Sequence, residues 1–466
     1  MIRRMPGAKT VSFDGRANST ILGFMRSLII LSFALVGLVA LAACSLWGQE
    51  EGGTAVTPTS SPAATPTVTP GPVLTPDVAV ATPITQTRPT ITVWLPAEIW
   101  AASESGQATL NAQLNAYRAS HPDLDIRVET KAATGQGGIL SYLLTGRTIA
   151  PGILPDLVAL PADQLSGATA DSLIFALDDG IPTTYLEDLY PAGLKLATVN
   201  DRLMGYPFIL TQAPQLAYDS SRVTTTVPLT WTQFIAMPGQ NMLFPAAGAP
   251  GATLLLEMYL DNGGQLLNEA GQVELQIEPL AAALQELSNG RANGFILPQS
   301  STMQTLEDSW QAFQSGQSSF VQTSATQFLR QRQTGQPFRA VAIPGLEKPL
   351  APLVNGWVWA VSSQDAAKRP LATDLLIFLI DNENLGEWSY RSNFLPARQG
   401  AFFYWPTDDN YVPFISEQLL LADAHPFAFA SSHPVMVALA DAAFDVVSLA
   451  KSPRLAAEEA VASLNP

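Results

Sequence analysis

The sequence predicts an α/β protein, and three observations carry that prediction. Short β-rich apolar runs alternate along the chain with stretches whose apolar residues recur at helical spacing. The chain has 466 residues, enough for two domains of ordinary size plus tails. Its hydrophobic content of 47% supports a real core, with only 14% of residues charged.

The elements follow in order. Thr90-Ile91-Thr92-Val93-Trp94 reads as a strand of β-branched and aromatic residues. Leu110, Leu114 and Tyr117 share one helix face by their i, i+4, i+7 spacing, and His121-Pro122 stops that helix. Asp125 to Thr130 alternates as a second strand, Gly135 to Gly138 makes a loop, and Ile139 to Thr145 a short helix. Pro155-Asp156 leads into a buried-strand pattern at Leu157 to Leu160. Strands alternating with helices imply βαβ units and a parallel sheet.

Ahead of this body, Ser27 to Ala43 is an uncharged apolar run with Arg26 just before it. A basic flank, an apolar stretch and small residues at its end make a secretory signal. The alternative is an uncleaved anchor, since about 17 apolar residues can just span a bilayer. The segment ends Leu41-Ala42-Ala43-Cys44, which resembles the lipobox of bacterial lipoproteins. That resemblance implies Cys44, the chain's only cysteine, as the lipid attachment point that anchors the mature protein to the membrane. Residues 1–43 are then the signal region, and a start at Met25 would leave a compact lipoprotein signal. From Gly48 to Pro89 prolines recur among Thr, Ala and Gly, so 44–89 reads as a lipidated N-terminus and extended tether. Its reach is on the order of 100 Å.

Beyond residue 90 a series of segments keeps the order of a known family. ITVW, YRASHPDLDIRVE and PDLVAL open it, followed by Phe175 to Asp179, Asn200 to Phe208 and Leu216 to Ser220. Pro228 to Phe234 (PLTWTQF), Asp261 to Gly271, Trp310 to Phe320, Val341 to Gly345, Asn355 to Val361 and Phe394 to Arg398 continue it. Together they resemble the family 1 extracellular solute-binding proteins, which include the sugar receptors of ABC importers. Two departures stand out: Asp219 and Ser220 replace a usual lysine, and the stretch after Phe234 is rich in Pro and Gly.

The resemblance implies two α/β lobes of a periplasmic-binding-protein-like, type II-like fold with a ligand cleft between them. The first lobe would take 90–210 and 336–403, the second 211–335 and 404–466. It further implies a monomeric receptor without cofactor, whose partners are a small solute, a carbohydrate by preference, and the permease subunits of an importer.

Sugars present apolar ring faces and hydroxyls, so aromatic platforms and planar polar groups are the candidates to hold one. Glu98 and Trp100 follow the first strand, where α/β sheets place their ligand loops. Asp163 and Gln164 follow Asp156 at the spacing at which the resembled maltodextrin receptors carry a sugar-binding acid and base; a helix cap at Asp163 is the competing reading, and Asp156 itself reads as structural. Asn355 and Trp357 belong to a segment resembling the family's cleft-side loop, and Trp357 shares a strand face with Trp359. Tyr206 and Tyr218 flank the expected crossover and could serve ligand or hinge. Trp231 and Trp388 read as packing, and His425 to Met436 as a wall of the cleft.

Other classes find less support. A formal net charge of −16 opposes binding to a nucleic-acid phosphate backbone. The three histidines, His121, His425 and His433, each precede a proline and show no zinc-ligand spacing. No GxxxxGK, GxSxG or HExxH pattern occurs, and the acidic pairs Glu187-Asp188 and Asp408-Asp409 read as solvated turns rather than catalysts. The chain is therefore read as a non-enzyme. The competing class is a surface lipoprotein that binds a protein partner or feeds a sensor.

Overall fold

In the computed structural model, the residues described are 88–464 except 269, 333–335 and 427–431. Cys44, the signal and the tether lie outside them, as does part of the proposed His425 to Met436 wall.

Strand β1 (Thr90–Pro96) passes through a short helix α1 (Ala97–Trp100) to α2 (Glu104–Ser120). Ser103 caps α2 by accepting from the Gly106 N–H, and Leu110, Leu114 and Tyr117 form its buried face, as their spacing predicts. Then come β2 (Asp125–Lys131), α3 (Ile139–Ile149) and β3 (Leu157–Pro161), so the first three strands and the helices between them fall where the sequence puts them. Helices α4 (Leu165–Ala170), α5 (Thr183–Glu187) and α6 (Pro191–Ala197) lead to the hairpin β4 (Thr198–Val199) and β5 (Arg202–Leu203). Its two turn residues, Asn200 and Asp201, both take positive φ, as a tight hairpin requires.

The chain then runs along β6 (Tyr206–Gln212) into β7 (Pro214–Asp219). At this passage Gln212 and Ala213, neither of them glycine, have φ of 67° and 45°. The left-handed region is costly for such residues, so two in succession mark a strained crossover. Next follow α7 (Trp231–Phe234), β8 (Met242–Leu243), α8 (Ala249–Asp261), α9 (Ile277–Ala292), α10 (Leu306–Gln314), β9 (Phe320–Ser324), α11 (Ala325–Gln331) and β10 (Phe338–Val341). The chain returns through β11 (Leu353–Val361) to α12 (Arg369–Ile380), α13 (Asn382–Ser392), β12 (Leu395–Pro396), α14 (Tyr411–Leu421), β13 (Asp423–Ala424), α15 (Pro434–Val447) and α16 (Pro453–Leu464).

Two sheets organise these elements. The first has the order β12-β6-β11-β3-β1-β2, with β13 also paired to β11. It is mixed rather than wholly parallel, because β11 runs antiparallel to both β3 and β6. A strand that comes back from the second sheet enters this one from its carboxyl edge and so must run the opposite way. The second sheet has the order β10-β7-β9-β8. Since β10 pairs with β7, residues 338–341 belong to this second sheet, and the return to the first begins at Leu353 rather than near residue 336.

The alternation of β7, β8 and β9 divides the apolar residues of the second sheet between two cores. Ala217, Leu243 and Val321 join the core that continues into the first sheet. Leu216, Met242 and Phe320 join a second core with α7, α8, α9, α15 and α16. Trp231 is buried there, its Nε1–H donating to the Glu286 carbonyl at 3.0 Å, and Trp388 is buried in the first core; both are packing residues.

Candidate functional site

Strand register brings the candidate residues to one edge of the first sheet. Strands β1, β2 and β3 are parallel, and β6 runs with them because β11 is antiparallel to both β3 and β6. Their carboxyl ends, at Pro96, Lys131, Pro161 and Gln212, therefore lie along one edge, from which β11 enters. In the register Trp357 sits opposite Pro161 and Asn355 opposite Thr211. Open α/β sheets bind ligands outside such carboxyl ends.

Each candidate has a definite place relative to that edge. Glu98 is exposed on α1, one turn beyond β1, and Trp100 is half-buried against the first core. Asp163 is exposed in a single 3-10 turn after β3, without a side-chain cap bond. Desolvation by the surrounding protein raises its pKa, and the N–H groups of Asp163 and Gln164 work against that rise. Gln164 is half-buried; its Nε2 donates to the Ala133 carbonyl at 3.4 Å, while its Oε1 is buried with no partner among the described residues. It lines a cavity of about 260 Å³ with Thr134, Gly138 and Ser141.

Asn355 is fully buried, and neither its Oδ1 nor its Nδ2 has a hydrogen-bond partner among the described residues. Thr211, across the ladder, is also buried with its hydroxyl unpaired. Trp357, two residues along the same face, is 6% exposed. Trp359 on that face stacks on Phe208 at 4.8 Å and is core. Helix α11 comes from the second sheet to this end of β6, where the Ala325 N–H donates to the Ala213 carbonyl at 3.2 Å. Thr326, in the first turn of α11, has a second buried hydroxyl without a partner among the described residues. A buried polar group left without a partner costs about 1–3 kcal/mol, and native structures keep few of them.

The two tyrosines are elsewhere. Tyr206 stands at the start of β6, the opposite end from the edge, fully buried with its hydroxyl donating to the Tyr185 carbonyl at 2.8 Å. Burial raises the pKa of that phenol, and the ring has no accessible face. Tyr218 is half-buried on β7, its ring 5.8 Å from Phe320 on the second-core face. A strand's alternation and polarity sent both away from the carboxyl edge, which sequence spacing alone did not show.

A larger cavity, about 690 Å³, opens between the two sheet bodies. Ser105 of α2 and Tyr390, Arg391 and Asn393 at the end of α13 form one wall; α11, β10 and the start of α14 form the other. Arg332 holds Asp409 through two bonds of 2.7 and 2.5 Å, with its guanidinium 5.1 Å from the Tyr411 ring. Burial pushes the Asp409 carboxyl up, but Arg332 and the Tyr411 N–H outweigh it and hold the pKa below the usual range. The Tyr411 hydroxyl donates to Gln215 Oε1 at 2.9 Å. Each acidic pair is only half a solvated turn: Glu187 and Asp408 are exposed, whereas Asp409 is locked to Arg332, and Asp188 accepts from Arg398 Nε at 3.0 Å and the Gly400 N–H at 2.9 Å. Thr211 and Thr326 at the carboxyl edge, and Tyr390 and Tyr411 in the cavity lining, escaped sequence reasoning because only β-pairing and helix docking put them there. Among the described residues no group of His, Cys, Asp and Glu could hold a metal ion.

The model of a family described as a bacterial extracellular solute-binding protein matches residues 112–408, more than half of the chain. The chain belongs to that family. Its members are binding proteins rather than enzymes, and an extracellular binding protein works outside the cytoplasm. Solved structures of low identity share the two-lobed, type II-like α/β fold of this solute-binding protein. One is the cyclic alpha-maltosyl-1,6-maltose binding protein from Arthrobacter globiformis, 19% identical, covering 81% of this chain and 98% of that one at a TM-score of 0.65. A second is the maltose-binding protein MalE from Listeria monocytogenes in complex with maltose, 16% identical, with coverages of 81% and 97% and a TM-score of 0.63. A third is an extracellular solute-binding protein from Staphylococcus aureus in complex with maltose, 16% identical, with coverages of 81% and 96% and a TM-score of 0.65. No curated protein sequence matches the chain.

Proposed function

We propose that this solute-binding protein captures a carbohydrate in the cleft between its lobes and delivers it to an ABC importer, anchored to the outer face of the membrane through Cys44. The observation that carries the reading is the set of buried polar groups without partners among the described residues: Asn355 with both its amide atoms, Thr211 beside it, and Thr326 on helix α11, which docks at the end of β6. Hydroxyl groups of a sugar, which donate and accept, match an amide and two hydroxyls, and Trp357 offers an aromatic surface next to them.

The same groups explain why a ligand would favour the closed state. When the lobes part, water satisfies them; when the lobes meet without ligand, each costs about 1–3 kcal/mol. A sugar that bonds them removes that cost, so closure is selected by the ligand. The chain passes between the sheets at Gln212-Ala213 and at Leu353, and we assign the first lobe to the first sheet with its helices and the second lobe to the second sheet. Similar proteins crystallised with maltose support the ligand class, and the signal and lipobox-like segment support the anchor.

Thermal unfolding of the mature chain with Cys44→Ser, against a panel of oligosaccharides, polyols and amino acids, tests the reading. A saccharide at a hundredfold excess over its dissociation constant stabilises by about 2.7 kcal/mol. Trp357→Ala should abolish that shift. A panel without any shift would overturn the proposal in favour of a lipoprotein that binds a protein partner.

A further inference from the structure

Resting on the carbohydrate reading above, we infer that the large cavity between α13 and α11 takes an acidic oligosaccharide, one whose uronate carboxylates meet Arg391 and Arg339. The cavity, about 690 Å³, falls within the size range of small-molecule sites. Tyr390, Phe338 and Phe414 supply ring faces in its lining, the surface on which pyranose rings pack. Gln336 Oε1 lies there buried and without a partner among the described residues, an acceptor for a sugar hydroxyl.

The charges decide the class. The whole chain carries −16, yet this lining holds three arginines and two aspartates. Arg332 is spent on Asp409, so that pair presents no net charge. Among the described residues Arg339 donates only to the neighbouring Phe338 carbonyl, at 3.0 Å. The Arg391 guanidinium makes no hydrogen bond or ion pair among the described residues; it is the Arg391 backbone carbonyl that Ser103 and Ser105 engage. Two guanidiniums on opposite walls, with no carboxylate partner among the described residues, leave the cavity electropositive against the single exposed Asp408. Guanidinium matches carboxylate in planar geometry and always stays charged, so a carboxylated sugar is preferred over a neutral one.

The test uses the mature full-length chain with Cys44→Ser and two probes of equal length, trigalacturonate and maltotriose, read by calorimetry. Trigalacturonate should bind more tightly, and its affinity should fall as salt rises. Arg391→Met should weaken trigalacturonate roughly tenfold or more, the loss of a charge-assisted bond, while leaving ligand-free melting unchanged. Asp408→Asn should tighten it. Maltotriose binding as tightly as trigalacturonate, or trigalacturonate binding untouched by Arg391→Met and Arg339→Met alike, overturns the acidic specificity and leaves the carbohydrate receptor standing. Binding of neither probe, nor of any other saccharide, overturns both.

Discussion

The two ends of strand β3 handle buried polar groups in opposite ways. At its amino end, buried Asp156 accepts from the Thr92 N–H at 2.9 Å and the Ser363 hydroxyl at 2.5 Å, with Lys368 Nζ at 3.4 Å. The Ser362 hydroxyl donates to the Pro155 carbonyl at 2.9 Å, and Lys368 also reaches the Thr90 carbonyl at 2.8 Å. At the carboxyl end, Asn355 is equally buried but its side chain has no partner among the described residues, and Thr211 and Gln164 each keep an oxygen unpaired among them. Both ends belong to one sheet, so the difference is not one of fold quality. The first end is complete within the chain and holds β1, β3 and β11 together; the second, on the function proposed above, is completed by a ligand.

The largest effect expected from this contrast is at Asp156. Asp156→Ala strands Lys368 and two donors, and should cost about 3 kcal/mol of stability in a denaturant titration while leaving saccharide binding intact. A loss well below 1 kcal/mol would break the comparison from its satisfied side.

Asn355→Leu should behave in the opposite manner. A side chain of similar shape removes the unpaired amide, so the ligand-free protein should keep its stability or gain up to about 1 kcal/mol. The ligand-induced shift in melting should vanish. Destabilisation by 2 kcal/mol or more, roughly the cost of breaking a satisfied network, would show that Asn355 is structural like Asp156.

The smallest change near pH 5 is expected at Glu257, a third kind of buried polar group. It is fully buried on α8, with Oε1 accepting from the Leu353 N–H at 2.8 Å and Oε2 unpaired. Desolvation raises its pKa well above the ordinary glutamate value of 4.5, and the Leu353 N–H only partly opposes that. A raised carboxyl binds its proton more tightly when folded. Its contribution is therefore complete below the unfolded value of about 4.5 and is lost as pH rises towards the folded pKa. Glu257→Gln mimics the protonated form, so unfolding curves from pH 4.5 to 8 should show the wild type weakening relative to the variant. Parallel curves would mean that Glu257 is ionised when folded.

Much of the scaffold was legible because local rules suffice for it. The i, i+4, i+7 face of Leu110, Leu114 and Tyr117 needed only helix geometry, and the Leu157 run only burial on both faces. Trp231 and Trp388 were readable as packing. The antiparallel course of β11 and the transfer of β10 to the second sheet were not, because pairing partners more than a hundred residues apart leave no local mark. The same limit applies to Trp357 and Trp359: period two places them on one face, but only the stacking of Phe208 makes Trp359 core.

By itself, then, the sequence determined the α/β class and the ordered series of segments by which the family is recognised. Hydrophobic period, proline content and motif order are properties of neighbours along the chain. Tertiary structure alone decided which polar residues stay unpaired, where Tyr206 and Tyr218 go, and that the α13 and α11 walls share a cavity. Those are properties of partners brought together from separate elements of the chain, where satisfaction and desolvation depend on what folding places beside each group.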